Sequence, residues 1–218
     1  LVPQGEPFAR LVHQGLITHH GAKMSKSKGN VVSPDEFVEK YGSDVFRMYL
    51  MFMGPFTEGG DWNDRGITGV ARFADRVWNL MNTPHRENDT EMMMRTLHLT
   101  IKKVTEDIGS FHFNTAISAL MELVNLGYKD GMTLKSKKLF VHLIAPLAPH
   151  CAEEIWEYLG EKKSIFHSVW PKFDKKYLTT ETFELVVQIN GRVRAKVSAK
   201  SGVSKEEAEE MKKKLEAA

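Results

Sequence analysis

The stretch ITGVARFADRVWNLM at residues 67–81 decides the fold of this chain. Its apolar side chains recur at intervals of three or one positions, so they share one face of a helix with 3.6 residues per turn. These side chains are Ile67, Val70, Ala71, Ala74, Val77, Trp78 and Met81. Thr83-Pro84 follows and predicts the end of the helix, because proline clashes with the turn before it. The stretch therefore predicts an amphipathic helix that buries one side against neighbouring elements.

Four more amphipathic helices are predicted between this stretch and residue 160. The second helix carries a heptad seam, the third is capped by Asn114, and the fifth runs from Pro149 to a stop at Gly160. The predicted inward residues are Met94, Leu97, Ile101, Val104 and Ile108; Ile117, Leu120, Met121, Val124 and Tyr128; Leu139, Phe140, Leu143, Ile144 and Leu147; and Ile155, Trp156 and Leu159. Five such helices joined by short turns predict a helical bundle over residues 63–172.

The segment over residues 33–62 predicts two connecting helices before the bundle. Ser33-Pro34-Asp35-Glu36 provides a capping serine, a proline at the first helical position and the glutamate of a capping box. Gly42 interrupts the helical pattern, Ser43 restarts it, and Gly54-Pro55 ends it.

Residues 1–32 carry less regular patterns. The apolar residues from Phe8 to Ile17 predict a short helix that ends near Gly15, followed by an extended piece. Residues 22–30 have no apolar periodicity and therefore predict a loop.

Residues 181–218 predict a small α/β domain that follows a polar linker over residues 173–180. Apolar and polar residues alternate over 183–189 and again over 193–197, which is typical of strands. A second capping box then predicts a helix over residues 204–215. Two strands and one helix are too few for an independent core, so this domain is expected to be incomplete.

Asn190-Gly191 between the two strands is a hairpin turn signal. The apolar faces match only if paired residue numbers have an even sum, which predicts a three-residue loop with Gly191 in the left-handed conformation. The expected pairs are Val187 with Val193, Glu184 with Lys196, and Gln188 with Arg192.

Composition excludes several classes of protein. The 218 residues contain 30 Lys+Arg and 28 Asp+Glu, a net charge of +2, so any polyanion site must be a local cluster. A single cysteine rules out an internal disulfide framework and a multi-cysteine zinc site. No apolar run is long enough to span a membrane, and Leu1 to Phe8 lacks the features of a secretory signal. We therefore expect a cytoplasmic protein without membrane contact.

The segment over residues 23–28, hereafter the lysine loop, carries the strongest functional signal. Lys23, Lys26 and Lys28 place three ammonium groups close together, interleaved with two serines. Lysine binds phosphate as a point charge, and hydroxyl and backbone N–H groups donate to phosphate oxygens. Such a loop can close over a triphosphate and stabilise the charge that develops on departing pyrophosphate. Composition alone favours the alternative of a solvated surface loop.

The string Lys23-Met24-Ser25-Lys26-Ser27 resembles the KMSKS signature of class I aminoacyl-tRNA synthetases at all five positions. Its continuation over residues 28–35 and 39–44 resembles the class I subgroup for aliphatic amino acids and methionine. Within that subgroup, further stretches are similar, in sequence and in order, to leucyl-tRNA synthetases of the bacterial or organellar type. These stretches are residues 47–55, 61–63, 113–122, 145–156 and 187–194. The resemblance runs along nearly the whole chain and identifies it as a C-terminal fragment of such a synthetase.

The resemblance implies a mainly α-helical protein with a division of labour along the chain. Residues 1–32 would end the catalytic domain, 33–62 would connect it to the bundle, and 63–172 would form an anticodon-binding-type domain. Residues 181–218 would be part of a small α/β domain that binds tRNA. The parent enzyme would be a cytoplasmic monomer that activates leucine with ATP and Mg²⁺ and transfers it to tRNA(Leu).

The resemblance also implies the roles of individual residues. Lys23 and Lys26 would be catalytic and would hold the triphosphate. Met24 would anchor the loop, while Ser25 and Ser27 would complete the ATP site. Contact with tRNA phosphates would fall to Arg192, Arg194 and Lys196, which otherwise form a solvated strand face.

The chain departs from the family pattern in several places. The His-x-Gly-His signature is missing, since His19-His20-Gly21 does not supply it, and so are the leucine pocket, the editing domain and the zinc module. The isolated chain is therefore expected to be inactive. Ala195 stands where the family usually has glycine.

Two rival hypotheses remain at this point. One is a valyl- or isoleucyl-tRNA synthetase, against which Phe52-Met53-Gly54-Pro55 and the stretch over 190–194 argue. The other is a non-catalytic RNA-binding module, in which a phosphate loop would have no purpose.

The remaining polar residues receive structural interpretations. No pair of the nine histidines has convincing metal-ligand spacing, so no metal site is expected. Lys135, Lys137 and Lys138 are placed on the solvated surface at a helix start, and Cys151 is placed in the core.

Overall fold

The computed structural model describes residue 5, residue 8 and residues 10–178, 182–189 and 192–200. The chain divides into two compact units, Leu1–Phe173 and Asp174–Ala218. The described part of the first unit contains helices α1 (Pro34–Tyr41), α2 (Ser43–Phe52), α3 (Gly66–Met81), α4 (Glu91–Gly109), α5 (Phe113–Asp130), α6 (Leu134–Ile144) and α7 (Pro149–Tyr158). The predicted mainly α-helical fold is confirmed, and α3 to α7 are the five helices of the expected bundle.

Helix α3 buries one face in the apolar core, as its periodicity predicts. The fully buried members of the predicted face are Ile67, Val70, Val77 and Met81. Each such aliphatic side chain contributes about 1.5–3 kcal/mol relative to an exposed position. Two aromatic residues predicted to point inward do not: Trp78 is 38% exposed and Tyr128 of α5 is 45% exposed. Both rings lie where the bundle surface meets solvent.

The buried row of α4 begins one residue earlier than the seam predicted from Met94. Met93 is fully buried, whereas Met94 is only half-buried. The Thr90 hydroxyl caps the helix and accepts a hydrogen bond from the Met93 N–H at 3.0 Å. This cap stabilises the helix start by about 1 kcal/mol. The row continues through Leu97, Ile101 and Val104, all fully buried.

Two predicted helix starts need correction. Helix α1 has Pro34 in its first turn as expected, but the Ser33 hydroxyl makes no capping hydrogen bond. Helix α5 begins at Phe113 with His112 as its N-cap, not at Asn114.

The short helix predicted to end near Gly15 is absent from residues 10–16, whereas the extended piece predicted after it is confirmed as the first strand of a three-stranded sheet. The sheet contains β1 (Ile17–His19), β2 (Ala22–Lys23) and β3 (Gly60–Trp62) in the order β2-β1-β3. Strand β1 is antiparallel to β2 and parallel to β3. The Gly15 N–H donates to the Phe56 carbonyl at 2.7 Å, a contact between segments about 40 positions apart in the chain. The helix prediction is wrong because this distant partner sets the conformation.

Lys137 is fully buried, which corrects its predicted place on the surface. Its ammonium group donates to the Met81 carbonyl at 3.1 Å, to the Thr83 carbonyl at 2.6 Å and to the Thr83 hydroxyl at 3.1 Å. Burial lowers the pKa of Lys137. The side chain thus places a cation at the C-terminal end of α3, where free carbonyl groups and the helix dipole favour one.

Asp44 joins α2 to the start of α7. Its buried carboxylate accepts the Cys151 N–H at 2.7 Å and lies 2.9 Å from His150 Nδ1. The Cys151 side chain packs against the core but is only half-buried, and burial together with the Asp44 charge raises its pKa to about 11.

The described part of the second unit contains an antiparallel hairpin of β4 (Thr182–Ile189) and β5 (Arg192–Lys200). Ile189 pairs with Arg192, so two residues connect the strands and the predicted three-residue loop is wrong. The register shifts between Val187 and Gln188, which is a β-bulge. Because of this bulge, paired residue numbers over 182–187 have an even sum, as the matching of apolar faces predicts. The expected pairs are wrong as well: Val187 faces Ala195, Glu184 faces Ser198, and Gln188 faces Val193. Gly191 and the predicted helix over 204–215 lie outside the described residues.

Candidate functional site

The lysine loop begins at the edge of the three-stranded sheet. Lys23 is the last residue of β2, and Lys26–Lys28 form a short 3-10 turn. The Lys28 N–H donates to the Ser25 carbonyl at 3.1 Å, and Gly29 closes the turn with a φ of 66°. Glycine adopts this left-handed conformation without steric cost. The predicted loop is therefore a strand end followed by a compact turn.

The ammonium groups of the lysine loop are presented to solvent. Lys23, Lys26 and Lys28 are exposed, and none of them forms an ion pair with a residue in the part of the chain that the structure describes. Met24 between them is half-buried and packs against the apolar core. The loop therefore offers a polyanion three cations on a backbone that is anchored from below.

Asn30 holds the first half of the loop through its side-chain amide. Its Oδ1 accepts the Ser25 N–H at 2.8 Å, and its Nδ2 donates to the Lys23 carbonyl at 3.2 Å. The Asn30 backbone carbonyl in turn lies 3.2 Å from His19 Nδ1, which donates to it because a carbonyl can only accept. The first two hydrogen bonds hold the loop together, and the third connects it to β1.

Asp61 fixes the turn between β1 and β2 from the opposite strand. Its Oδ1 accepts the Thr18 hydroxyl at 2.6 Å and the Gly21 N–H at 2.9 Å. These two hydrogen bonds stabilise the carboxylate and lower the pKa of Asp61. The turn contains His20 and Gly21 with φ of 54° and 70°, a left-handed pair that suits a two-residue hairpin. Lys23 leaves this turn on a strand of fixed direction.

The two serines of the loop contact each other. Ser25 Oγ and Ser27 Oγ are 2.8 Å apart, so one hydroxyl donates to the other. The accepting serine keeps its own proton free for a ligand oxygen. With the lysines, this arrangement can bind several phosphate oxygens at once.

The lysines of this site were predicted from the sequence, but the side chains that hold the backbone of the loop and of the neighbouring turn were not. Asn30 follows Gly29 at the end of a turn, and asparagine is typical of turn ends, so a local signal existed. Asp61 offered no such signal, because its partners Thr18 and Gly21 lie 43 and 40 positions away in the chain.

The residues predicted to contact tRNA lie in the second unit. Arg192, Arg194 and Lys196 all belong to β5. In the strand register, Arg192 pairs with Ile189 and Lys196 with Val186, while Arg194 is the extra residue at the bulge. The sequence pattern predicted that these three residues alternate regularly with apolar residues along one strand. The bulge at Arg194 interrupts that alternation.

The described residues show neither a cluster of metal ligands nor a membrane-spanning helix. No three His, Cys, Asp or Glu side chains come together there in a way that suits a metal ion. Within those same residues, no helix is both long and apolar enough to cross a membrane.

Two family models match the sequence. The model described as the anticodon-binding domain of tRNA ligase matches residues 91–210, more than half of the chain. The model described as class I tRNA synthetases (I, L, M and V) matches residues 2–63, which include the lysine loop.

Curated relatives similar in sequence include tRNA ligases that are specific for leucine. The leucine–tRNA ligase of Dehalococcoides mccartyi is 43% identical over 96% of this chain and 27% of its own length. The leucine–tRNA ligase of Clostridium kluyveri is 45% identical over 94% of this chain and 28% of its own length. The chain thus spans little more than a quarter of the length of these relatives.

A solved structure agrees with the sequence relatives. The Agrobacterium radiobacter K84 agnB2 LeuRS, crystallised as a ternary complex with tRNA and LeuAMS, superposes with a TM-score of 0.75 and 32% identity. The match covers 94% of this chain and 30% of that one. The extent of the anticodon-binding match, the class I match around the lysine loop and these relatives show that the chain belongs to the class I tRNA ligases, within the leucine–tRNA ligase family.

Proposed function

We propose that this chain is part of a leucine–tRNA ligase and supplies the loop that binds the triphosphate of ATP during leucine activation. The observation that carries the proposal is the lysine loop. Its three exposed ammonium groups have no ion-pair partner among the described residues, and the Asn30 amide holds the loop backbone at Lys23 and Ser25.

In the proposed reaction, the leucine carboxylate attacks the α-phosphorus of ATP and the bond to the bridging oxygen breaks. Pyrophosphate leaves and carries away the negative charge that develops on that oxygen. The ammonium groups of Lys23 and Lys26 interact most strongly with the phosphates at this stage and so raise kcat. Of Ser25 and Ser27, the serine that accepts the hydrogen bond between them keeps a proton to donate to a phosphate oxygen, and Mg²⁺ would come bound to the ATP phosphates.

The other parts of the proposal follow from the family. Leucine would bind outside these residues, and the leucyl group would pass from the adenylate to tRNA(Leu). The similarity to a LeuRS crystallised with tRNA supports tRNA as the partner of the bundle and the hairpin. We further propose that the ligase acts as a cytoplasmic monomer.

Amino-acid-dependent ATP–pyrophosphate exchange tests the proposed activity. The ligase that contains these residues should exchange with leucine and should respond far less to valine or isoleucine. The 218-residue chain alone should stay at background. Exchange that prefers valine or isoleucine would contradict the proposal, and leucine-dependent exchange by the chain alone would contradict the expected inactivity.

The hairpin is tested by separating leucine activation from transfer to tRNA. Arg192→Glu with Arg194→Glu should weaken aminoacylation and leave pyrophosphate exchange intact, because phosphate contacts add to tRNA affinity. Lys162→Glu with Lys163→Glu is the matched control, since it makes the same change of net charge at exposed positions of the first unit. Equal loss of both activities in the arginine variant would refute a specific role for β5.

A further inference from the structure

Asn30 bridges two backbone groups that lie on either side of Met24. Its Oδ1 is 2.8 Å from the Ser25 nitrogen, and its Nδ2 is 3.2 Å from the Lys23 carbonyl oxygen. One side chain thus satisfies both a donor and an acceptor at the entrance of the lysine loop. The bridge encloses the residues from Lys23 to Asn30 in a closed, hydrogen-bonded ring.

The chemistry of the bridge requires an amide. Rotating the amide by half a turn would set N–H against N–H and oxygen against oxygen, so the contacts fix its orientation. Aspartate at the same position keeps an acceptor for the Ser25 N–H but has no donor for the Lys23 carbonyl. Alanine keeps neither contact.

The far side of the bridge is tied to the sheet. The Asn30 carbonyl accepts from His19 Nδ1 at 3.2 Å, and His19 is the last residue of β1. The adjacent turn between β1 and β2 is held by Asp61, which accepts hydrogen bonds from the Thr18 hydroxyl and the Gly21 N–H. The loop is therefore oriented by contacts to the sheet.

We propose that Asn30 is a positioning residue for the lysine loop, which sets the direction in which Lys23 and Lys26 leave the backbone. Its catalytic consequence rests on the proposed function above, whereas its hold on the loop does not. Asn30 lies outside the buried core, so its removal loosens the loop without unfolding the bundle. Adenylate formation slows because the two ammonium groups are no longer pre-oriented.

Limited proteolysis of the 218-residue chain tests the hold on the loop directly. Trypsin cuts after lysine, so Lys23, Lys26 and Lys28 report on local opening of the backbone. Losing two hydrogen bonds should make cleavage at these sites about tenfold faster in Asn30→Ala. Ser33→Ala is the matched control, because Ser33 is three residues along the chain from Asn30 and its hydroxyl makes no capping bond. An unchanged helical thermal transition shows that both variants stay folded.

Pyrophosphate exchange by the ligase containing these residues tests the catalytic consequence. Asn30→Ala should lower kcat about tenfold and leave the KM for leucine unchanged, as expected for loss of transition-state positioning. Asn30→Asp should fall between Asn30→Ala and wild type, because it restores one of the two contacts. A purely structural role would not produce this graded change of kcat at constant KM.

The possible outcomes separate the two proposals. Unchanged cleavage in Asn30→Ala would overturn the hold on the loop, and faster cleavage with unchanged kcat would overturn the positioning role. If Lys26→Ala leaves exchange intact, the proposed function fails, while the proteolysis result still decides whether Asn30 holds the loop.

Discussion

Replacing Lys137 by methionine tests how much the hydrogen bonds from α6 to the C-terminal end of α3 stabilise the fold. The side chain is fully buried, and its ammonium group serves three acceptors at the end of α3. Methionine fills nearly the same volume without donors, so the substitution removes hydrogen bonds with little change in packing.

The expected loss follows from the acceptors that remain. The Thr83 hydroxyl still donates to the Leu80 carbonyl at 2.7 Å, so it stays satisfied. The carbonyls of Met81 and Thr83 lose the ammonium donor, and each unsatisfied carbonyl lowers the free energy of unfolding by about 2 kcal/mol. The ammonium group is fully hydrogen-bonded here, so relief of its desolvation returns only about 1 kcal/mol, the low end of the cost of burying a polar group. The free energy of unfolding should therefore fall by about 3 kcal/mol.

Urea unfolding of the 218-residue chain, followed by far-ultraviolet circular dichroism, measures this loss. Lys135→Met is the matched control, because it makes the same substitution at an exposed position of the same helix. The control should change the free energy of unfolding by less than about 0.5 kcal/mol. If both variants lose equally little, Lys137 does not close the end of α3 and the reasoning is refuted.

Three further predictions concern Asp44, Cys151 and Asp61. Asp44→Ala should lower the free energy of unfolding by about 2 kcal/mol in urea titrations, because the Cys151 N–H and His150 lose a charged partner. Cys151, with its pKa raised to about 11, should react with iodoacetamide at pH 8 roughly 100-fold more slowly than a free thiol. The hydrogen bonds that lower the pKa of Asp61 give stability that is complete above the ordinary carboxyl pKa and lost as pH falls through the lowered value. The free energy of unfolding of Asp61→Asn should therefore change less between neutral and acid pH than that of the wild type.

Helical periodicity predicted the bundle because the force that shapes it repeats along the chain. In α3, the same residues that recur every three or four positions are those that lose contact with water, so Ile67, Val70 and Val77 were placed correctly. Trp78 was placed wrongly because an indole ring at the border of this face can lie partly in solvent. Periodicity does not fix how far a face extends.

Contacts between distant residues account for the other errors. Lys137 pairs with groups 54 and 56 positions away, and nothing in its own helix indicates that α3 ends beside it. Gly15 likewise donates to the Phe56 carbonyl, and the described residues 10–16 form no helix. In the hairpin, the parity argument was right over 182–187, but a bulge satisfies it instead of a longer loop.

The candidate site divides in the same way. The lysine and serine residues were predictable because residue type alone states their affinity for phosphate. The amide of Asn30 had a local signal at the end of the turn. The hydrogen bonds of Asp61 and of the Asn30 carbonyl depend on how the chain returns to β1, and residue type does not indicate that.

The central claim is that the lysine loop stabilises departing pyrophosphate, and one pair of variants tests it most directly. Leucine-dependent ATP–pyrophosphate exchange should be measured for Lys26→Ala and Lys28→Ala in the ligase that contains these residues. Both lysines are exposed on the same turn, but only Lys26 belongs to the KMSKS string. Lys26→Ala should lower kcat by about 100-fold or more, as for loss of a charged transition-state contact, and Lys28→Ala by less than about threefold. Equal and small effects of both variants would contradict the claim.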